Sequence, residues 1–511
     1  MPAATRFTTF PEEIQGLILA RCGLEDCPPF VLFCKAWHRL VYEQPELWRS
    51  LRVHVPESGS TTGGGSPAPP LRWLAGKLAL RRRVGPLVSR LHLVGSGSVG
   101  VPPQLLPCLQ QATLEELILT QPRELPPAMA STLTGFSGLH SLELAVLGTR
   151  PLPLTTTQAV AAAPGLRRLT LMAGRLQPAL LRGCLAAQQL TLLELTSSDV
   201  PLPPLHPLTA LTALRELSAF EWCSGAGGMR PLPLSAFPAI RRLAFRSTAF
   251  QLADGLEARS APGARYAMFQ LRMLPAAAAQ PSPHLRPSQP VGQPAASASP
   301  GGDWVFACSG LELGRELPLH AMLRALGVRG ASLVRLSMEE CQLSPAAFLP
   351  PPPGSSDPLA GVQRLILESL LPAGGGGGNF AAEGGQPHQP GGGAAPPSEG
   401  LDALLRQMML SMPRLSVLNL LGTPLPGGSP PASLLQLTRL TVLQMSGCQL
   451  ATLPQSPVVS RLAVLALDSN NLEVLPPALA GARQLETLVL TGNPELRVAA
   501  ADVEAGGALG A

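Results

Sequence analysis

A glycine-spaced loop is the first place where chemistry would be sought. Gly95-Ser96-Gly97-Ser98-Val99-Gly100 spells GxGxxG, with an acidic residue, Glu115, downstream. Dinucleotide binding would require a helix to open inside that loop and offer its N-terminus to a pyrophosphate. Pro102, Pro103 and Pro107 make such a helix poor, so the loop reads as a turn between strands. The 8 histidines are scattered singly, and none has a Cys, His or carboxylate at metal-ligand spacing. No GxSxG elbow presents a serine nucleophile. The 9 cysteines contain no CxxC pair and read as reduced, mostly buried thiols. The sequence thus points to a non-enzymatic chain with no cofactor and no metal.

The elements that position side chains here are strands. Leu462–Leu472, LAVLALDSNNL, carries Leu at places 1, 4, 6 and 11 and Asn470 at place 9, the leucine-rich-repeat pattern. Leu465 and Leu467 alternate along a short strand and point to the core, while the Asn470 amide is suited to hold free backbone groups where the chain bends. The same frame starts at Leu415, Leu440 and Leu485, with Cys448 and Asn493 at place 9. It recurs at Val88, Leu114, Leu139, Leu166, Leu190, Leu214, Ile240, Tyr266, Leu333 and Val362, with a degraded unit near Phe306 and Cys308. A single unit cannot bury its own apolar face, so the units must stack. The expected fold is α/β: a leucine-rich-repeat solenoid, a horseshoe with parallel strands on the concave face. Leu-Pro pairs such as Leu125-Pro126 and Leu202-Pro203 suggest extended return legs.

Composition agrees with a leucine-layered core. Hydrophobic residues make 45% of the 511, but aromatics only 4%. Pro (57) and Gly (51) are frequent enough to imply unstructured segments. The net charge of +5 comes with no long basic run, which argues against a nucleic-acid partner. The N-terminus lacks a signal core and no long apolar stretch occurs, so neither secretion nor a membrane partner is expected.

The expected organisation is a helical module at 1–55, a linker at 56–70, and a capping helix with a first repeat block at 71–274. A low-complexity insertion follows at 275–302, a second block at 303–371, a Gly-rich insertion at 372–400, C-terminal repeats at 401–500 and a tail at 501–511. Both insertions are expected on return legs.

In each strand, places 3, 5 and 7 face away from the core. This puts Arg168, Glu194, Glu216, Phe220, Arg242, Arg246 and Arg335 on the concave face as candidate target-binding residues, with Glu339, Arg364 and Glu368 beside them. In the last repeats the same places hold Val417, Leu421, Val442, Val464 and Val489, an apolar strip.

The first module differs from the rest. Pro11, Glu12 and Glu13 open a helix whose Ile14, Leu17 and Ile18 share a face. Three anchors stand in order: Phe10-Pro11-Glu12-Glu13-Ile14, Phe33-Cys34-Lys35-Ala36-Trp37-His38-Arg39-Leu40, and Pro45-Glu46-Leu47-Trp48. In these the chain resembles the F-box family, with Phe10 in place of the usual leucine and Pro28-Pro29 interrupting the middle helix. The resemblance implies docking to a Skp1-like adaptor and through it to a cullin. Phe10, Pro11, Ile14, Leu17, Phe33, Cys34 and Trp37 would lie in or beneath that interface. It further implies a cytoplasmic or nuclear substrate receptor of an SCF-type ubiquitin ligase, catalysis residing in the associated E2 and RING subunits. The alternative is a cytoskeletal or ciliary scaffold in which these helices only cap the array. A third class, small-GTPase regulators built on horseshoes, has longer helix-rich repeats than the steps of 22 to 25 residues seen at the C-terminal end.

Overall fold

The computed structural model describes residues 49–55, 87–95, 113–121, 135–151, 160, 163, 165–222, 228–252, 256–262, 264–274, 303–328, 333–372, 397–454, 456–475 and 477–497. The F-box-like segment through Trp48 lies outside them, as do the linker, the basic helix expected near Leu71–Arg83, and the cores of both insertions. The chain divides into two compact units, one of residues 1–226 and 236–240, the other of 227–235 and 241–511.

In the first unit, strands follow one another in chain order, each parallel to the last. They are β1 (Ser50–Val55), β2 (Arg90–Gly95), β3 (Glu116–Gln121), β4 (Ser141–Pro151), β5 (Arg168–Arg175), β6 (Leu192–Ser197) and β7 (Glu216–Glu221). Their register aligns Leu51, Leu91, Leu117, Leu142, Leu169, Leu193 and Leu217 in one ladder, all essentially inaccessible. Leu93, Leu119, Leu144, Leu171 and Leu195 form a second. Parallel strands need a crossover, and helix α1 (Pro178–Cys184) provides one, burying Leu180 and Leu181. β1 corrects the boundary expected for the helical module. It lies within 1–55, but Leu51-Arg52-Val53-His54-Val55 alternates with period two and pairs with β2.

The second unit contains β8 (Arg242–Ser247), β9 (Ala249–Gln251), β10 (Glu257–Arg259), β11 (Ala267–Met273), β12 (Trp304–Ser309), β13 (Glu312–Leu313), α2 (Leu319–Ala325), β14 (Leu333–Glu339), β15 (Gln342–Leu343), β16 (Arg364–Glu368), β17 (Leu371–Pro372), α3 (Pro397–Ser411), β18 (Val417–Leu421), β19 (Val442–Ser446), β20 (Val464–Ala466) and β21 (Thr487–Val489). Its main sheet runs β8-β11-β12-β14-β16-β18-β19-β20-β21. β11 is antiparallel to both neighbours, against the expectation of a parallel repeat at Tyr266. The β9–β10 hairpin reverses the chain after β8, so β11 returns down the sheet. The insertion at 275–302 therefore joins two antiparallel strands at the sheet edge where the parallel strands begin. The insertion itself lies outside the described residues. The core of the Gly-rich insertion, in the connection from β17 to α3, likewise lies outside them.

Among the described residues the return legs mix short helices with non-helical chain: Leu202-Pro203 is non-helical ahead of a 3-10 turn, and Leu125-Pro126 lies outside the described residues. Single 3-10 turns at His206–Ala210, Pro345–Phe348 and Pro477–Gly481 begin at or beside proline, whose fixed φ suits a helix start. α3 is the longest helix among the described residues and seats Leu404, Leu405 and Met408 in the core.

Place 8 of the repeat turns the corner. Gly310, Glu340, Ser369, Gly422, Gly447, Ser469 and Gly492 directly follow their repeat strands' last places, all with φ between 49 and 73. Place 9 then satisfies the exposed backbone. The Asn470 carboxamide oxygen accepts from the Cys448 and Leu450 amides at 2.9 and 3.0 Å. Its nitrogen donates to the carbonyls of Met445, Leu467 and Asp468 at 2.6, 3.0 and 3.1 Å. One side chain thus ties two successive turns together. At Cys448 the thiol donates to the Leu420 carbonyl at 3.2 Å, the smaller version of the same bond.

Candidate functional site

Side chains at places 3, 5 and 7 stand on the sheet face opposite the core, in rows fixed by strand register. Neighbouring strands lie about 4.8 Å apart, so each row is a rigid line with that pitch.

In the first unit, place 3 reads Ser50, Arg90, Glu116, Ser141, Arg168, Leu192, Glu216. Arg90 and Glu116 form a solvent-exposed ion pair at 3.3 Å. Arg168 is exposed, and Glu216 stands two strands away beyond Leu192. Place 5 holds Arg52, His92, Ile118, Glu143, Thr170, Glu194 and Ser218. Burial, with help from Glu194 and Glu116, pushes the Glu143 carboxyl above the usual range. Place 7 ends on Met172, Thr196 and a half-buried Phe220, with Trp222 exposed just beyond.

In the second unit, place 3 reads Arg242, Arg272, Val305, Arg335, Arg364, Val417, Val442, Val464, Thr487. Place 7 reads Arg246, Met268, Ser309, Glu339, Glu368, Leu421, Ser446. The face is polarised: arginines line the edge where the parallel strands start, and Glu339 with Glu368 line the edge where they end. Four residues of strand, about 13 Å, separate Arg335 from Glu339, too far for pairing. Partial burial, then the Arg364 charge, lowers the Arg335 pKa from its ordinary value. Burial, then Glu368 and Glu340, raises that of Glu339. Arg246 is partly used internally, its guanidinium stacked 3.1 Å over the Tyr266 ring.

The structure therefore brings Arg168, Glu194, Glu216 and Phe220 onto one sheet face, and Arg242, Arg246 and Arg335 onto another. Arg272 was missing from the sequence-predicted set. Read as parallel, β11 puts it at place 7; run backwards, β11 sets it beside Arg242. The adaptor-interface candidates Phe10, Pro11, Ile14, Leu17, Phe33, Cys34 and Trp37 lie outside the described residues.

The cysteines among the described residues, Cys184, Cys308, Cys341 and Cys448, are buried. Desolvation pushes Cys184 up to about 12 and Cys448 to about 11, which favours the thiol over the thiolate at neutral pH. Among the described residues no cluster of three or more His, Cys, Asp or Glu is arranged to hold a metal ion, and no helix is long and apolar enough to cross a membrane.

No family model matches the chain, and no curated protein does. Among solved structures, a leucine-rich-repeat protein of Leptospira interrogans is 14% identical, covering 84% of this chain and 95% of its own, with a TM-score of 0.35. An internalin from Listeria monocytogenes is 13% identical over 89% of this chain and 87% of its own, TM-score 0.25. A plant peptide hormone receptor solved with its peptide is 12% identical over 79% of this chain and 55% of its own, TM-score 0.27. The fold of this chain is nonetheless plain from its own register: stacked leucine ladders, a left-handed corner at place 8 and an amide or thiol clasp at place 9. That is the leucine-rich-repeat fold.

Proposed function

We propose that this chain is the substrate-recognition subunit of a Skp1–cullin–F-box type ubiquitin ligase. The F-box-like segment docks an adaptor, and an outward strand face captures a target protein. The chain performs no chemistry itself. It acts by proximity, raising the effective concentration of target lysines near the ubiquitin carrier in the cytoplasm or nucleus.

The observation that carries this reading is one of wiring. The third F-box-like anchor ends at Trp48, and β1 starts at Ser50. A docking segment joined to the first repeat strand through one residue leaves little slack between adaptor and recognition surface, which proximity catalysis needs.

A pull-down of the full chain with recombinant Skp1-type adaptor tests it. Wild type binds; a Pro11→Ala, Trp37→Ala double variant with an unchanged melting curve does not. Absence of binding by folded wild type would refute the ligase assignment and leave a repeat scaffold.

A further inference from the structure

The arginine row of the second unit runs directly into an apolar strip on the same outward face. Arg272, Arg335 and Arg364 make no side-chain hydrogen bond or ion pair with any described residue, and the buried Arg335 Nε has no partner. Arg335 and Arg364 are in direct register on neighbouring strands, as are Arg242 and Arg272. Like charges held side by side this way oppose folding. From Arg242 to Arg364 the row spans four strand spacings, about 19 Å. The next three places in line are Val417, Val442 and Val464.

We propose that this row is the docking line for an extended protein segment in which a run of acidic residues is joined to a run of aliphatic ones. The acidic part lies across β8–β16 and the aliphatic part across β18–β20. This rests on the reading that an outward strand face holds a protein target, and names the chemistry of that target.

Three features select this occupant. A line of positive charge about 19 Å long matches roughly six residues of extended chain at 3.3 Å each. Arginine forks pair carboxylates with two parallel hydrogen bonds, which meets the orphaned Nε of Arg335. The Glu339–Glu368 pair, about 13 Å from the arginines, disfavours a wide polyanion. An extended peptide fits beside those glutamates, whereas a nucleic acid would press its phosphates against them.

The test uses the full chain and a fluorescein-labelled peptide of six glutamates followed by valine at alternate positions, read by fluorescence anisotropy. Comparison probes replace the glutamates by glutamine, or the valines by serine; a twelve-nucleotide oligouridylate serves as competitor. The acidic-aliphatic peptide should bind, and an Arg272→Gln, Arg335→Gln, Arg364→Gln variant should weaken it at least about tenfold. Arg364→Gln alone changes an exposed side chain and should still weaken it several-fold if the triple variant does not fold. Glu339→Gln with Glu368→Gln should not weaken it. Val464→Ser, at a half-buried place, should weaken the valine peptide but not the serine one. Equal binding of the glutamate and glutamine peptides, wild-type binding by the folded arginine variants, or stronger binding of oligouridylate through the same arginines would overturn the proposal. The adaptor pull-down reads a different part of the chain, so either result can fail while the other stands.

Discussion

Replacing Asn470 by alanine removes the clasp between the last two well-buried turns. The residue is 2% exposed, and its oxygen accepts from the Cys448 and Leu450 amides. Alanine leaves both N–H groups buried and unpaired, at about 1–3 kcal/mol each, so the expected loss is roughly 4 kcal/mol. The carbonyls of Met445, Leu467 and Asp468 lose a donor as well. Asn493 provides the internal comparison, since its oxygen accepts from Leu472 alone, at 3.1 Å, in a half-buried site. Asn493→Ala should therefore cost about 1–2 kcal/mol, the value of one unpaired donor. Urea unfolding of the full chain measures both. Amide exchange should show the damage confined to Cys448, Leu450 and their neighbours, because repeats are stabilised through nearest neighbours. A loss from Asn470→Ala no larger than that from Asn493→Ala would refute the clasp as the source of the stability.

The corner at place 8 gives opposite expectations for two residues. Gly310 has a φ of +62, and a Cβ there would meet the Tyr266 carbonyl oxygen at 2.5 Å, so Gly310→Ala should lower the urea midpoint by the equivalent of at least about 2 kcal/mol. Glu340, at φ 49, pays left-handed strain and crowds Glu339, so Glu340→Gly should be stabilising by about 0.5–1 kcal/mol in the same measurement. Leu465→Ala empties a fully buried site and should cost about 2–5 kcal/mol, whereas Leu488→Ala, on the terminal strand and half-buried, should cost less than half of that in parallel melts. The fold raises the Glu143 pKa, first through burial and then through Glu194 and Glu116, so it favours the neutral acid. Ionised Glu143 therefore opposes folding at neutral pH, and stability returns as pH falls through the raised value. Glu143→Gln should melt higher than wild type at neutral pH, and the difference should vanish near about pH 4; a variant that melts lower at neutral pH would reverse the sign.

What the sequence made legible is what period-two alternation and fixed repeat spacing encode. Leu465, Leu467 and Asn470 announce core, core and clasp by type and position alone, and the main-sheet strands β14, β16, β18, β19, β20 and β21 all lie in the frame read from leucines. Direction is different. A two-residue period is the same read forwards or backwards, so Tyr-Ala-Met-Phe-Gln-Leu-Arg fits a repeat strand in either sense. Only the β9–β10 hairpin, built from residues with no repeat signature, decides that β11 runs down. β1 escaped because Leu51, Val53 and Val55 follow a helical motif with no punctuating Gly or Pro. Place 8 escaped because Gly, Glu and Ser share no side-chain property; what they share is a backbone angle.

The reversal of β11 also decides the charge pattern. In a parallel β11, Arg272 would stand at the same edge as Arg246, Glu339 and Glu368, where carboxylates could neutralise it. Running backwards, it adds to Arg242, Arg335 and Arg364 on an edge without place-3 acids from β8 to β16. Each like-charged neighbour costs only about 0.2–1 kcal/mol, against about 2–5 kcal/mol for each fully buried leucine beneath it. The leucine ladders can therefore hold an arrangement of surface charge that its own electrostatics would disperse. A row kept in place against its own repulsion is complementary to something of the opposite charge, and its direct continuation into Val417, Val442 and Val464 sets what must follow that charge in the partner.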